Sequence, residues 1–127
     1  MRLVSGPFSA EVDVRASAEE LNDLAYAVAE GDGFIASTPL TGDTLVGIEA
    51  RMATGTGVRI ELDASRQVLV ISGDPEARAI LADNLKAMAA SEDGGHLHID
   101  YFPEHAYLVE GSVPIVVSSP HGGMPTR

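Results

Sequence analysis

The chain has 127 residues, of which 19 are acidic and 8 basic, giving a formal net charge of −11, and it contains no cysteine. That length fits one domain, and a surface of that sign repels phosphate backbones and anionic lipid headgroups, which argues against direct binding of nucleic acid or membrane. Without cysteine there is no disulfide framework, no thiolate metal site and no thiol catalysis, so any metal would rest on His, Asp and Glu.

Between Phe8 and Arg15 the apolar Phe8, Ala10, Val12 and Val14 alternate with Ser9, Glu11, Asp13 and Arg15, the period of a strand with one covered face. Ser17 followed by Glu20 is a capping box, and Leu21, Leu24, Ala25 and Val28 at helical spacing predict a helix over Ala18 to Glu30, stopped by Gly31. The stretch from Gly31 to Asp43 is rich in Gly, Pro, Ser and Thr and reads as a loop holding a short irregular strand around Phe34 to Ala36. Three β-prone runs follow, Thr44 to Ala50, Val58 to Asp63 and Gln67 to Ser72, separated by turn-forming residues; they predict an antiparallel meander. Asp74 and Pro75 supply an N-cap and first-turn proline for a second helix ending near Ser91, with Ile80, Leu81, Leu85 and Met88 as its apolar stripe. A strand from His96 to Phe102, a turn at Pro103 and a last apolar run from Val113 to Val117 complete the pattern. The expected fold is α+β, a mixed or mainly antiparallel sheet with two helices packed on one face, in one domain over residues 1–119 with a disordered tail at 120–127. No internal repeat is visible. The amino terminus lacks the apolar run of a signal peptide, and no later stretch approaches a membrane span, so a cytoplasmic location is expected.

The segment HLHIDYFPEH from His96 to His105 carries the densest chemistry. On a strand, two-residue spacing sends His96, His98 and Asp100 to one face, against Leu97, Ile99 and Tyr101 on the other. A His-x-His pair places two imidazoles within reach of one metal ion if a third ligand arrives from Asp100, Glu104, His105 or His121. The same row is equally the wet side of a half-buried strand. Serines such as Ser72, Ser112, Ser118 and Ser119 lack the strand-turn-helix context of a hydrolase nucleophile. The glycine-rich Ala53 to Gly57 lacks a phosphate-loop ending and reads as a hairpin turn. Phe102 either falls on the polar register beside the histidines, where it has the character of an interface anchor, or turns inward at the strand end before Pro103. If the sheet has one open face, Glu11, Asp13, Glu61 and Asp63 share it with the histidines as an acidic platform.

At HLHIDYFPEHAYL followed by SVPIVVSS the chain resembles a family of small bacterial immunity proteins of polymorphic toxin systems, with a His-x-Asp-Tyr-x-Pro segment and a downstream Pro-apolar strand, over Val68 to Ser119. The resemblance implies a non-enzymatic inhibitor that binds and neutralises a cognate toxin, with no cofactor. A basic nuclease is the kind of toxin an acidic surface suits, since opposite charge speeds encounter. The expected partner-binding residues are His96, His98, Asp100, Tyr101, Phe102, Glu104 and His105, with Glu11, Asp13, Glu61 and Asp63 adding charge. Two other readings stand beside it: a metal-binding protein or metal-dependent hydrolase using His96, His98 and Asp100, and a homodimer paired through the open sheet face.

Overall fold

The computed structural model describes residues 1–5, 11–38, 43–91 and 95–118. Helix α1 spans Ala18–Glu30, as its cap and periodicity predict. The Ser17 hydroxyl accepts from the Glu20 N–H at 3.1 Å, and the Glu20 carboxylate accepts from the Ser17 N–H at 2.9 Å. Leu21, Leu24, Ala25, Ala27 and Val28 form its buried face, and Gly31 ends it in the left-handed conformation at φ 72°. Helix α2, Pro75–Ala90, starts at Asp74, whose carboxylate accepts from the Ala77 N–H. Its buried face is Ala77, Arg78, Leu81, Ala82, Leu85 and Ala89, whereas Ile80 is 42% exposed. The expected stripe is therefore rotated: small alanines let α2 lie close on α1, and the helices contact each other more than either contacts a sheet.

The strands are β1 Arg2–Ser5, β2 Val12–Arg15, β3 Asp32–Ala36, β4 Gly47–Met52, β5 Val58–Asp63, β6 Val68–Gly73, β7 His96–Ile99 and β8 Ile115–Ser118. The class is α+β, but the strands form two mixed sheets of four rather than one, ordered β1-β2-β8-β7 and β3-β4-β6-β5. Several expectations are corrected. The first predicted strand keeps only Val12 to Arg15, its Phe8 to Ala10 portion lying outside the described residues, while β1 was not anticipated. The irregular strand near Phe34 is a regular five-residue β3 paired along β4. The strand begun at His96 ends at Ile99. The predicted tail lies outside the described residues.

The antiparallel meander is also absent. Strands β4 and β6 run parallel, and β5 pairs with the far side of β6. Ala53 to Gly57 is thus no hairpin turn; it steps over the end of β6, where a Cβ on Gly73 would come 2.6 Å from the Gly57 carbonyl oxygen. A five-residue link between two strand-like runs normally signals a hairpin, and only the tertiary pairing shows that a third strand is inserted between them.

The order of pairing contains a repeat that the sequence conceals. Residues of the first half make an antiparallel pair (β1, β2), a helix and a second pair (β3, β4); the second half repeats this with β5, β6, α2, β7 and β8. Each sheet takes the first pair of one half and the second pair of the other, joined through a parallel contact, β2 with β8 and β4 with β6. Both sheets and both helices share one apolar core.

Candidate partner-binding site

In each half, described residues of the connection between the second pair of strands contact that half's first strand or the residue before it, in the other sheet. In the first half, the Thr38 N–H donates to the Met1 carbonyl at 2.6 Å, and Arg2 of β1 pairs with Asp43 at 2.9 Å. In the second half, the run Tyr107 to Val113 lies along β5. Val58 N–H donates to the Tyr107 carbonyl (2.7 Å), Val109 N–H to the Val58 carbonyl (2.9 Å) and Val113 N–H to the Ile60 carbonyl (2.8 Å), with the Ser112 hydroxyl accepting from the Ile60 N–H. These bonds satisfy an edge that would otherwise offer free donors and acceptors. The second-half connection is the longer of the two, and its covering is done by Tyr107 onward. The preceding stretch, Asp100 to Ala106, is an additional feature displayed outward.

That stretch is built around a tight turn. The His105 N–H donates to the Phe102 carbonyl at 3.0 Å, with Pro103 and Glu104 between them. Glu104 sits at φ 74°, the left-handed position that a type II turn normally gives to glycine or asparagine. The Nδ1 of His105 accepts from the backbone N–H groups of Tyr107 (3.2 Å) and Leu108 (3.0 Å), which fixes the neutral tautomer with its proton on Nε2. Phe102 is 57% exposed and tilts against the His105 ring at 4.9 Å, and His105 meets Tyr107 edge-on at 4.7 Å. Tyr107 is buried, accepts from the Asn84 amide at 3.1 Å, and has its hydroxyl pKa raised by that burial. Beside the turn, His105, Tyr107, Val109, Glu76 and Ile80 line an open cleft of about 300 Å³.

The other predicted residues separate into two groups. His96 and His98 are exposed on the outer face of the first sheet, with Asp100 exposed just past the strand and Tyr101 half-buried against the core. Across that face, His98, Val116, Asp13 and Val4 form one row, and His96, Ser118, Arg15 and Arg2 the next. Asp13 and the half-buried Glu11 therefore flank the histidines two strands away. Glu61 and Asp63 lie on β5 in the other sheet, so the single acidic platform does not form. There they are engaged by arginines: Glu61 with Arg59 at 3.7 Å, and Asp63 with Arg66 at 2.8 Å. The Ser65 hydroxyl and Arg66 hold the Asp63 pKa down to about 2, and Arg51 and Arg66 lower that of Glu49. Strand alternation distinguishes inside from outside, but it does not say which sheet a strand joins.

His96 and His98 have ring centroids 6.3 Å apart, and among the described residues no third His, Asp or Glu converges on them to complete a metal site; His121 lies outside those residues. A charge pattern outside these motifs is plain in the sequence. Residues 87–126 hold no lysine or arginine but five acids, Glu92, Asp93, Asp100, Glu104 and Glu110. It is found by reading where cations stop rather than where acids cluster.

A packed α+β scaffold displaying a hydrogen-bonded loop without lysine or arginine and with an exposed aromatic suits contact with another macromolecule, because its chemistry lies on an exposed turn rather than in an enclosed pocket. The family model described as immunity protein 32 (Imm32) matches residues 68–120, from β6 through α2, β7 and the displayed loop to β8, and this match supports an immunity protein family. Comparison with curated proteins and with solved structures gives no match. Among the described residues no helix is long and apolar enough to cross a membrane.

Proposed function

We propose that this chain is a non-enzymatic immunity protein that binds and neutralises a cognate toxin through Asp100 to His105 together with His96 and His98. The observation that carries this reading is Glu104. An exposed glutamate held at φ 74°, in a turn beyond the part of the loop that covers β5, adds backbone strain without any packing gain. Strain of this kind is retained where the side chain's direction matters to function. Phe102 beside it provides exposed apolar area, and Asp100 and Glu104 provide charge without a compensating cation nearby in sequence.

The partner is accordingly a basic protein surface, for which a nuclease groove built to attract phosphates is one chemistry. Glu11 and Asp13 lie beside the histidines' sheet, Asp13 3.8 Å from Arg15, whereas Glu61 and Asp63 belong to the opposite sheet. The protein acts in the cytoplasm, where the toxin would otherwise reach its target, and needs no cofactor. The test is to locate a neighbouring gene whose product ends in a toxic carboxyl-terminal domain and to measure capture of that domain at low and high salt by wild type, Asp100→Lys and Glu104→Lys. Loss of capture in both variants, and weakening of wild-type capture at high salt, is expected. Undiminished capture by the two variants would overturn the assignment of the loop.

A further inference from the structure

Tyr107 to Val113 cover the edge of β5, and among the described residues no further backbone hydrogen bond reaches the outer edges of β3 and β7, two strands that occupy equivalent places in the duplicated topology. Strand β7 carries His96 and His98, which the proposed function gives to the toxin, and runs directly into Asp100. Strand β3 borders a sheet face on which acids and arginines nearly balance: Asp32, Glu49, Glu61 and Asp63 with Arg51, Arg59 and Arg66. Two chains of charge −11 repel each other over most of their surfaces, and a near-neutral face is where that repulsion is least.

The register shows which backbone groups the β3 edge presents. Ser37 N–H donates to the Val46 carbonyl, and Ala53 N–H donates to the Gly73 carbonyl in β6. Alternation along β4 then turns its even-numbered residues toward β3 and its odd-numbered ones toward β6. Because Ile35 aligns with Ile48 and Gly33 with Ala50, these two β3 residues bond to β4. Asp32, Phe34 and Ala36 consequently direct their N–H and C=O groups outward from the sheet. Phe34 is 50% exposed, and Met52, 70% exposed, lines with it a cleft of about 490 Å³.

We propose that β3 pairs antiparallel with β3 of a second copy about a twofold axis at Phe34, joining the two four-stranded sheets into one. Such an edge is self-complementary: each outward N–H meets a carbonyl of the partner, Phe34 faces its own counterpart, and Asp32 falls opposite the small, neutral Ala36 rather than another acid. This surface is separate from the toxin-binding loop, so a dimer can form and still present that loop, and the two assignments stand or fall independently.

The test is sedimentation equilibrium of the full chain over a concentration series at low and high salt, with Phe34→Lys and Ala36→Pro as variants. Proline at Ala36 removes only an outward N–H and leaves the β3 to β4 bonds in place. The expected result is a wild-type mass rising from 13.3 kDa toward twice that value with concentration, and more readily at high salt, while both variants stay at 13.3 kDa. Circular dichroism matching wild type keeps the variants interpretable, and toxin capture should be unchanged by either. A wild-type mass fixed at 13.3 kDa up to about 1 mM, the weak end of specific association, overturns the proposal. So does dimerisation of the variants equal to wild type.

Discussion

Glu104 and His105 set the shape of the displayed turn by opposite means, one by accepting strain and the other by relieving it. Glu104→Gly removes the left-handed penalty, and the expected outcome is a stabilisation of about 0.5–1 kcal/mol, seen as a thermal midpoint raised by a few degrees, together with weaker toxin capture. A lowered midpoint would show that the φ of 74° is not strained in this turn. For His105 the comparison is between alanine and asparagine. Alanine leaves the N–H groups of Tyr107 and Leu108 without their acceptor and should cost about 1–3 kcal/mol, whereas the asparagine side-chain oxygen takes the place of Nδ1 and should retain most of the stability in urea titrations. The strain at Glu104 was invisible in the sequence, because Phe-Pro-Glu-His marks a turn without stating which residue takes the positive φ.

At the scale of elements, the contact between α1 and α2 depends on Arg78, the buried charged residue among those described. Its Nε donates to the Gly73 carbonyl at 2.8 Å, and its Nη1 to the Val28 and Ala29 carbonyls at 3.0 and 2.7 Å. The last two belong to the final turn of α1, whose exposed carbonyls form the negative end of the helix dipole, so a cation from α2 closes the terminus of its neighbour. Arg78→Met keeps the length of the side chain but removes these donors, and should lower stability by about 2–4 kcal/mol in urea unfolding. Arg78→Lys should recover only part of this loss, since one ammonium cannot reach in two directions as the guanidinium does. The sequence placed α1 and its capping box correctly, because a helix start depends on four consecutive residues. It gave no sign of Arg78's role, because the two α1 carbonyls it serves are 49 and 50 residues away in the chain.

For the molecule as a whole, the acid response follows from carboxylates held in their charged form. The pKa of Asp63 is lowered to about 2 by Ser65 and Arg66, that of Glu49 is lowered by Arg51 and Arg66, and that of Asp74 by the Gly57 N–H. Since each folded value lies below its unfolded one, the unfolded chain binds more protons in acid, and stability present near neutrality falls as pH drops through the carboxylate range toward about 2. Thermal midpoints measured from pH 6 to pH 2 should decline, and Asp63→Asn should flatten the lower part of that decline; an unchanged slope would show that the Asp63 network contributes nothing. Salt separates the two proposed associations, weakening capture of a basic toxin while favouring pairing of two acidic chains. What the sequence determined by itself was local or cumulative: the helix caps, the alternation of buried and exposed positions along strands, the net charge and the concentration of ionisable residues in His96 to His105. Tertiary structure alone decided that the strands divide into two sheets, that β4 and β6 run parallel with β5 beyond them, and that Glu61 and Asp63 lie apart from the histidines. The physical reason is that alternation and capping are fixed by neighbours in the chain, whereas strand partnership is fixed by which apolar faces can be buried together in one core.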